Sequence, residues 1–277
     1  MKNFKPPRRI YGVDFSGAAQ AGRFIWIAGA TAGADGLRLE QCRPAAELPG
    51  GAPARDDALA ALRALILSQS DAALGLDFPF GLPWELVRRH GSWEDFLRGF
   101  AARHASPRAF RDYCRERDGG RELRRQTDKE ARTPFSPYNL RMFRQTYYGI
   151  RDLLAPLVAA GAVCVPPMQP LRAGKPWLLE ICPASTLKRM GRYRPYKGKA
   201  SSHRAMRGEI LAHLEHSGLV LSSPSLGRKI AEDKGGDALD AVIAAFTAWR
   251  LLRDGAPPAP STPQAALEAW VYTVGDG

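Results

Sequence analysis

The sequence predicts an α/β fold whose mixed sheet begins with three antiparallel strands, continues with parallel strands and is flanked by helices. Three observations predict it. Residues 8–49 contain three strand-like stretches, RRIYGVDFSG, GRFIWIAGATAG and GLRLEQCRPA, with glycine-containing turns between them. An amphipathic helix pattern follows in ARDDALAALRALILSQS. The apolar run AALGLDFPFGLP then has the composition of a buried central strand.

The later elements continue this alternation. Residues 84–146 are predicted to form a helical insertion. This segment is rich in arginine, since positions 86–145 contain 15 Lys or Arg and 8 Asp or Glu. YYGIRDLLAPLVAAGA predicts a helix that Pro156 kinks or divides, PWLLEICPA predicts another strand, and DALDAVIAAFTAWRLL predicts the closing helix. We therefore expect one domain over residues 1–253 and a proline-rich link with a short C-terminal element over 254–277.

Charge and composition limit the functional classes. The 277 residues include 40 Lys or Arg and 28 Asp or Glu, which gives a formal net charge of +12. Such a surplus attracts polyanions, so nucleic acid is the leading predicted partner. Four scattered cysteines, without CxxC spacing, predict reduced thiols, and no apolar stretch has the length of a signal peptide or a membrane span. These features predict a cytoplasmic protein without a membrane partner.

Two aspartates stand at predicted strand ends. Asp14 ends the first strand and Asp77 ends the fourth. If these strands are parallel and adjacent, the two carboxylates meet at the edge where open α/β sheets bind ligands. The alternative is that each aspartate caps the turn that follows it.

Further acidic residues could complete a site. Asp237 and Asp240 lie three apart, and so on one face, at the start of the closing helix, while Glu180 ends another predicted strand. A first-turn aspartate also caps a helix, but Asp240 lies further in, where no cap is needed. Oxygen ligands without a zinc-like Cys or His pattern favour Mg²⁺ or Mn²⁺. Two such ions would activate a water and stabilise both oxygens of a phosphodiester displacement.

Five sequence blocks resemble a known family. GVDFSG, GLDFPFGLP, RTPFSPYNLRMFRQTYYGI, LEICPASTLKRMG with YKG after it, and GGDALDAVIAAFTA are similar to successive motifs of the domain-of-unknown-function 429 family of predicted RNase H-like nucleases. The resemblance spans about residues 10 to 252. It implies an RNase H-like fold with acidic residues at Asp14, Asp77 and either Asp237 or Asp240, a late-helix pair similar to that of RuvC-type junction resolvases. The first predicted helix lacks an RNase H-type glutamate and offers only Asp56 and Asp57.

A second basic segment has no acidic residues. Residues 185–207 contain eight Lys or Arg and no carboxylate, and glycine and proline interrupt their centre. Clustered cations in a loop repel one another unless an anion lies near them, so the loop is predicted to bind phosphates without reading sequence. The predicted contacts are Lys188, Arg189, Arg192, Arg194, Lys197 and Lys199.

The residues together predict a divalent-metal-dependent nuclease that hydrolyses DNA or RNA. The predicted catalytic residues are Asp14, Asp77, Asp237 and Asp240, and the predicted metal ligands are Asp14, Asp77, Asp240 and Glu180. One alternative is a nucleic-acid-binding protein of the same fold without catalysis. The other is an actin-like phosphotransferase, which normally needs a second phosphate-binding half that this sequence does not repeat. The sequence leaves the oligomeric state open.

Overall fold

One mixed sheet runs through the computed structural model, which describes residues 6–255 and 262–275. Its seven strands have the spatial order β6-β3-β2-β1-β4-β5-β7. The pairs β1–β2 and β2–β3 are antiparallel, whereas β1–β4, β4–β5, β5–β7 and β3–β6 are parallel. The strands are β1 (Arg9–Asp14), β2 (Trp26–Gly33), β3 (Gly36–Pro44), β4 (Ala72–Asp77), β5 (Trp177–Ile181), β6 (Leu219–Leu221) and β7 (Val271–Tyr272). The predicted fold class is confirmed, and the topology is consistent with an RNase H-like arrangement.

Helices cover both faces of the sheet. The described helices are α1 (Arg55–Leu67), α2 (Trp84–Val87), α3 (Trp93–Arg103), α4 (Pro107–Arg117), α5 (Gln126–Glu130), α6 (Phe143–Tyr148), α7 (Ala155–Ala159), α8 (Pro183–Arg189), α9 (Ser201–His216), α10 (Pro224–Glu232), α11 (Asp237–Arg253) and α12 (Pro263–Glu268). A π-helical turn, Gly149–Leu154, joins α6 to α7 just before Pro156, where the sequence predicts a kink. On one face, α1, α3 and the α6–α7 region share a core with β1 and β4; α8, α9 and α11 cover the other.

The arginine-rich segment between β4 and α7 consists of short helices and irregular chain. Ser92 and Ser106 cap α3 and α4 through side-chain hydrogen bonds to Asp95 N and Ala109 N. Most of its aromatic rings are buried, and Phe100, Phe110 and Tyr147 pack together. The rings therefore form core, and the arginines supply the charge of the surface.

Helix α11 lies closest to the sheet. Fourteen of its 17 residues are buried, as expected for a helix that is apolar on every side. It crosses β1 and β4 at Gly12 and Gly75, which are neighbours in register. A Cβ at Gly12 would lie 2.0 Å from Ala241 O, and one at Gly75 would lie 2.6 Å from Ala244 O. The absence of side chains at these two positions allows the start of α11 to lie directly over the ends of both strands.

Two further sequence predictions concern the proline-rich link and membrane-spanning segments. Residues 256–261 of the predicted proline-rich link lie outside the described residues, and α12 and β7 follow them. No helix in the described ranges combines the length and the apolar character needed to cross a bilayer.

Candidate metal centre

Three carboxylates converge where β1, β4 and α11 meet. Asp14 and Asp77 are directly opposed in the parallel β1–β4 register. Both lie two residues beyond the glycines under α11, and side chains two apart in a strand share a face. Asp240 comes from α11, and ligand oxygens of Asp14, Asp77 and Asp240 all lie within 4.8 Å of one another. The structure thus brings together three of the residues that the sequence singles out.

The start of α11 is capped by a residue other than its first-turn aspartates. Asp233 Oδ2 accepts a hydrogen bond from Ala238 N at 3.0 Å, and Asp233 Oδ1 accepts one from Gly235 N. Gly236 precedes the helix with φ +78°, and a Cβ there would lie 3.1 Å from Tyr196 and Lys197. Since Asp233 supplies the cap, Asp237 and Asp240 are available to face the strand ends.

Burial and mutual repulsion make the cluster a poor place for three negative charges. Burial raises the pKa of Asp14 well above its ordinary value, and Asp240 and Asp77 add to the rise. Burial, followed by repulsion from Asp240, raises the pKa of Asp77 to about 8. The charge of Lys197 and the interaction with the Asp14 carboxyl group oppose the rise in the pKa of Asp77. Two carboxyl groups that share a site in this way hold a proton near neutral pH unless a cation replaces it.

Asp237 lies at the edge of the cluster. Its side chain is 22% exposed, against 4% for Asp240. Burial raises the pKa of Asp237 to about 6, although Lys197 opposes the rise. Asp237 is outside the group of three within 4.8 Å, so the structure distinguishes the two aspartates that the sequence leaves open: Asp240 joins Asp14 and Asp77, and Asp237 borders them.

A lysine and a tyrosine from the loop before α9 contact Asp240. Lys197 Nζ lies 2.5 Å from Asp240 Oδ2 and 3.7 Å from Asp237 Oδ1. Tyr196 Oη donates a hydrogen bond of 2.6 Å to Asp240 Oδ1. Although burial disfavours the ammonium, Asp240 and Asp14 raise the pKa of Lys197 above its ordinary value. The buried Arg207 holds this loop by donating to the carbonyl oxygens of Tyr196 and Gly198.

The donor set fits a hard divalent cation. Asp14, Asp77 and Asp240 offer carboxylate oxygens, the ligand type that Mg²⁺ and Mn²⁺ prefer. The raised pKa values of Asp14 and Asp77 show that the site favours added positive charge. The Lys197 ammonium supplies one such charge, and its side chain is 51% exposed. The cluster can therefore hold a metal ion beside Lys197 or after Lys197 turns outward.

Glu180 is engaged elsewhere. Its two oxygens accept hydrogen bonds from Arg125 Nη2 at 2.5 Å and Nη1 at 2.9 Å, and Oε2 also accepts from Phe80 N. Arg125 is 1% exposed and also pairs with Asp128. Because its carboxylate is already satisfied, we leave Glu180 out of the proposed ligand set. Arg125 was not among the predicted site residues; it belongs to the arginine-rich segment, 55 positions before Glu180.

The six predicted phosphate contacts have different surroundings. Lys197 lies on the acidic cluster, while Lys188 donates to Arg132 O at 2.7 Å and lies over the Tyr193 ring. Arg194 lines the cavity above the cluster. The rest, Arg189, Arg192 and Lys199, are exposed.

A cavity of about 820 Å³ opens above the carboxylates. Its rim contains the exposed rings of Phe24 and Tyr193, and Arg141 and Arg194 add positive charge. On its wall, the Gln145 side chain donates to the main-chain carbonyl of Asp77. Neither Arg141 nor Gln145 was among the predicted site residues. Both lie in the RTPFSPYNLRMFRQTYYGI block, which was the available signal.

Comparisons with known proteins identify a family for part of the chain. The model of the family described as "Protein of unknown function (DUF429)" matches residues 154–265. This match confirms the resemblance over a segment that contains Lys197, Asp237 and Asp240, whereas Asp14 and Asp77 precede it. Neither the curated proteins nor the solved structures gave a match.

Proposed function

We propose that this chain, whose residues 154–265 match the DUF429 family, is a divalent-metal-dependent nuclease that hydrolyses phosphodiester bonds of DNA or RNA. The observation that carries the proposal is the convergence of Asp14, Asp77 and Asp240 within 4.8 Å. Two-metal sites place their ions about 4 Å apart, so carboxylates spread over more than about 10 Å would have argued against this chemistry.

The surroundings of the carboxylates support hydrolysis over simple binding. A protein that only binds nucleic acid gains nothing from buried acidic groups under a positively charged rim, because each one repels phosphate. Here three converging acids, of which Asp14 and Asp77 have raised pKa values, line the same cavity as Arg141, Arg194 and Lys197. This combination is useful when a cation offsets the acids and a phosphodiester then binds above them.

Each group has a role that its position suggests. Asp14, Asp77 and Asp240 would hold Mg²⁺ or Mn²⁺, which when bound lowers the pKa of water and stabilises negative charge on phosphate oxygens. Asp237, with a pKa of about 6 and an exposed edge, would accept a proton from the attacking water. Arg141 and Arg194 would hold the strand by its phosphates without selecting a sequence. Tyr196 fixes Asp240 through its hydrogen bond.

The test is cleavage of labelled single-stranded, duplex and branched DNA and RNA with Mn²⁺, Mg²⁺ or EDTA. We expect the wild type to cut at least one substrate with metal and none with EDTA. Asp14→Asn and Asp77→Asn should abolish cutting, whereas Asp71→Asn, which changes an exposed aspartate just before β4, should not. Metal-dependent cutting that survives both cluster substitutions would refute the proposal. Binding of a substrate without any cutting would favour the non-catalytic alternative.

A further inference from the structure

A second cavity, of about 640 Å³, lies on the far side of the chain segment that follows β1. Four arginines line it and belong to three parts of the chain: Arg55 at the start of α1, Arg108 and Arg111 in α4, and Arg144 in α6. Asp112 is the one acidic residue among the residues that line it. We call these four residues the arginine pocket. None of them was singled out from the sequence as a phosphate contact.

Aromatic rings contact three of the four guanidinium groups, those of Arg55, Arg111 and Arg144. Arg55 stacks on the Tyr148 ring at 3.7 Å, and Arg111 and Arg144 lie 5.9 and 5.4 Å from the Phe143 ring. A guanidinium that stacks through its face keeps its N–H edge available for another partner. The arginine pocket therefore presents oriented donors rather than loosely solvated charges.

Few of the N–H groups of these arginines have a hydrogen-bond acceptor among the residues that the structure describes. The ion pairs Arg55–Asp56, Arg108–Asp112 and Arg111–Glu122 have N···O distances of 3.7, 3.8 and 3.9 Å, longer than a hydrogen bond. In the described part of the chain, the buried Nε atoms of Arg55 and Arg111 have no hydrogen-bond partner. Buried donors without partners are rare, and converging cations repel one another. An anion with several oxygens would offset this repulsion and accept hydrogen bonds from the accessible parts of the guanidinium groups.

The arginine pocket lies next to the acidic cluster. Gly17 lines the pocket and is three residues beyond Asp14, which limits the chain path between them to about 10 Å. Gly17 packs on main chain, because a Cβ there would lie 2.5 Å from Arg144 O. Arg144 precedes Gln145, whose side chain bonds to the Asp77 carbonyl. Ser16 and Ala18 line the first cavity whereas Gly17 and Ala19 line the second, so this short segment separates the two cavities.

We propose that the arginine pocket binds a phosphate group of the nucleic acid strand whose neighbouring phosphodiester lies over the acidic cluster. This proposal rests on the proposed function for its substrate class. The phosphate is either a backbone phosphate or a terminal phosphate, and both present the same oxygens to the arginines.

The experiment measures equilibrium binding of fluorescein-labelled single-stranded DNA and RNA in EDTA, over a series of salt concentrations. Variants are Arg144→Gln alone, Arg111→Gln with Arg144→Gln, and the control Arg38→Gln on an exposed position of β3, which matches the charge change of Arg144→Gln. We expect the double variant to bind about tenfold or more weakly and to lose about 0.7 from the slope of log K against log salt, since one phosphate contact to a single strand contributes about 0.7. Arg144→Gln should show about half of this loss of slope. Thermal unfolding verifies that each variant is folded.

Each outcome supports or overturns the proposal. If Arg111→Gln/Arg144→Gln binds like Arg38→Gln, or if the wild type binds no nucleic acid, the arginine pocket has another role. A 5′-phosphorylated strand that binds more tightly than its hydroxyl form, with the difference lost in the double variant, identifies a terminal phosphate; equal binding of both forms identifies a backbone phosphate. Because EDTA prevents metal-dependent cleavage, weaker binding by the double variant would support the pocket even if no nuclease activity were found. Cleavage that the double variant leaves unchanged in rate and KM would overturn the pocket while the nuclease proposal stands.

Discussion

Asp77→Asn should stabilise the metal-free protein, although it removes a residue of the candidate site. Folding shifts the pKa of Asp77 from 3.8 to about 8, so the folded state holds a proton that the unfolded state releases. Between about pH 4 and pH 8 the folded state therefore binds more protons, and its stability falls as the pH rises through this window. An asparagine at position 77 does not ionise, so the variant does not lose stability in this way.

The size of the effect follows from the same shift. At pH 7, retaining a proton on a group that would otherwise ionise at 3.8 costs about 4 kcal/mol, and at pH 5 it costs about 1.5 kcal/mol. The coupling between Asp77 and Asp14 reduces these figures, so we expect a gain of about 2–4 kcal/mol at pH 7 and about 1 kcal/mol at pH 5. Mn²⁺ should reverse the order, because only the intact cluster gains stability from binding the ion.

Urea unfolding at pH 5, 6, 7 and 8 in EDTA, repeated with Mn²⁺, measures both effects. Asp71→Asn is the control, because it makes the same chemical change at an exposed position before β4. The reasoning is refuted if Asp77→Asn is no more stable than the wild type at pH 7, or if its stability difference does not vary with pH. A Mn²⁺-induced stabilisation that persists unchanged in Asp77→Asn would show that the ion binds elsewhere.

Three further substitutions test the packing and charges around the site, each by urea unfolding. Gly12→Ala should destabilise the protein by about 1–3 kcal/mol, because its Cβ would meet the main chain of α11. The control Gly208→Ala in α9, where a Cβ would have nothing within 4 Å, should be neutral or slightly stabilising. Equal effects of the two substitutions would contradict the close approach of α11 to β1. Arg125→Gln should lower the free energy of unfolding by about 3–5 kcal/mol, since it leaves Glu180 and Asp128 buried without their cation. The control Arg124→Gln, at the exposed neighbouring position, should lower it by less than about 1 kcal/mol. A small loss of stability in Arg125→Gln would show that these acids find other partners. Lys197→Gln should increase the stabilisation by Mn²⁺, because the ammonium no longer competes for Asp240; a smaller Mn²⁺ effect would indicate that Lys197 assists binding of the ion.

The strand-end acids could be predicted because their positions depend on local patterns. Asp14 and Asp77 each end a recognisable strand, and the order of three strands, a helix and a fourth strand places those ends side by side. From the sequence, the third acidic residue of the cluster could be narrowed only to Asp237 or Asp240, since a sequence does not show which residue caps a helix. Asp233, four residues before the first of that pair, supplies the cap.

Other parts of the site depend on contacts between distant segments. Lys197 was predicted to bind phosphate from its basic neighbours, yet its closest partner is Asp240, 43 positions later. The ion pair of Arg125 with Glu180 and the arginine pocket likewise join segments that no periodicity connects. Such contacts are set by how the insertion folds back on the sheet, and charge counts along the chain do not record that geometry.

The close approach of α11 to Gly12 and Gly75 has a consequence for ion selectivity. Asp14, Asp77 and Asp240 are carried by elements whose main chains touch, so their spacing is fixed by main-chain packing and cannot widen without separating the helix from the sheet. Among the described contacts to these carboxylates, Lys197 and Tyr196 come from a loop instead. Adjustment to cations of different radius therefore falls to that loop, and substitutions within residues 195–199 should alter the preference between Mg²⁺ and larger ions while the carboxylate spacing stays constant.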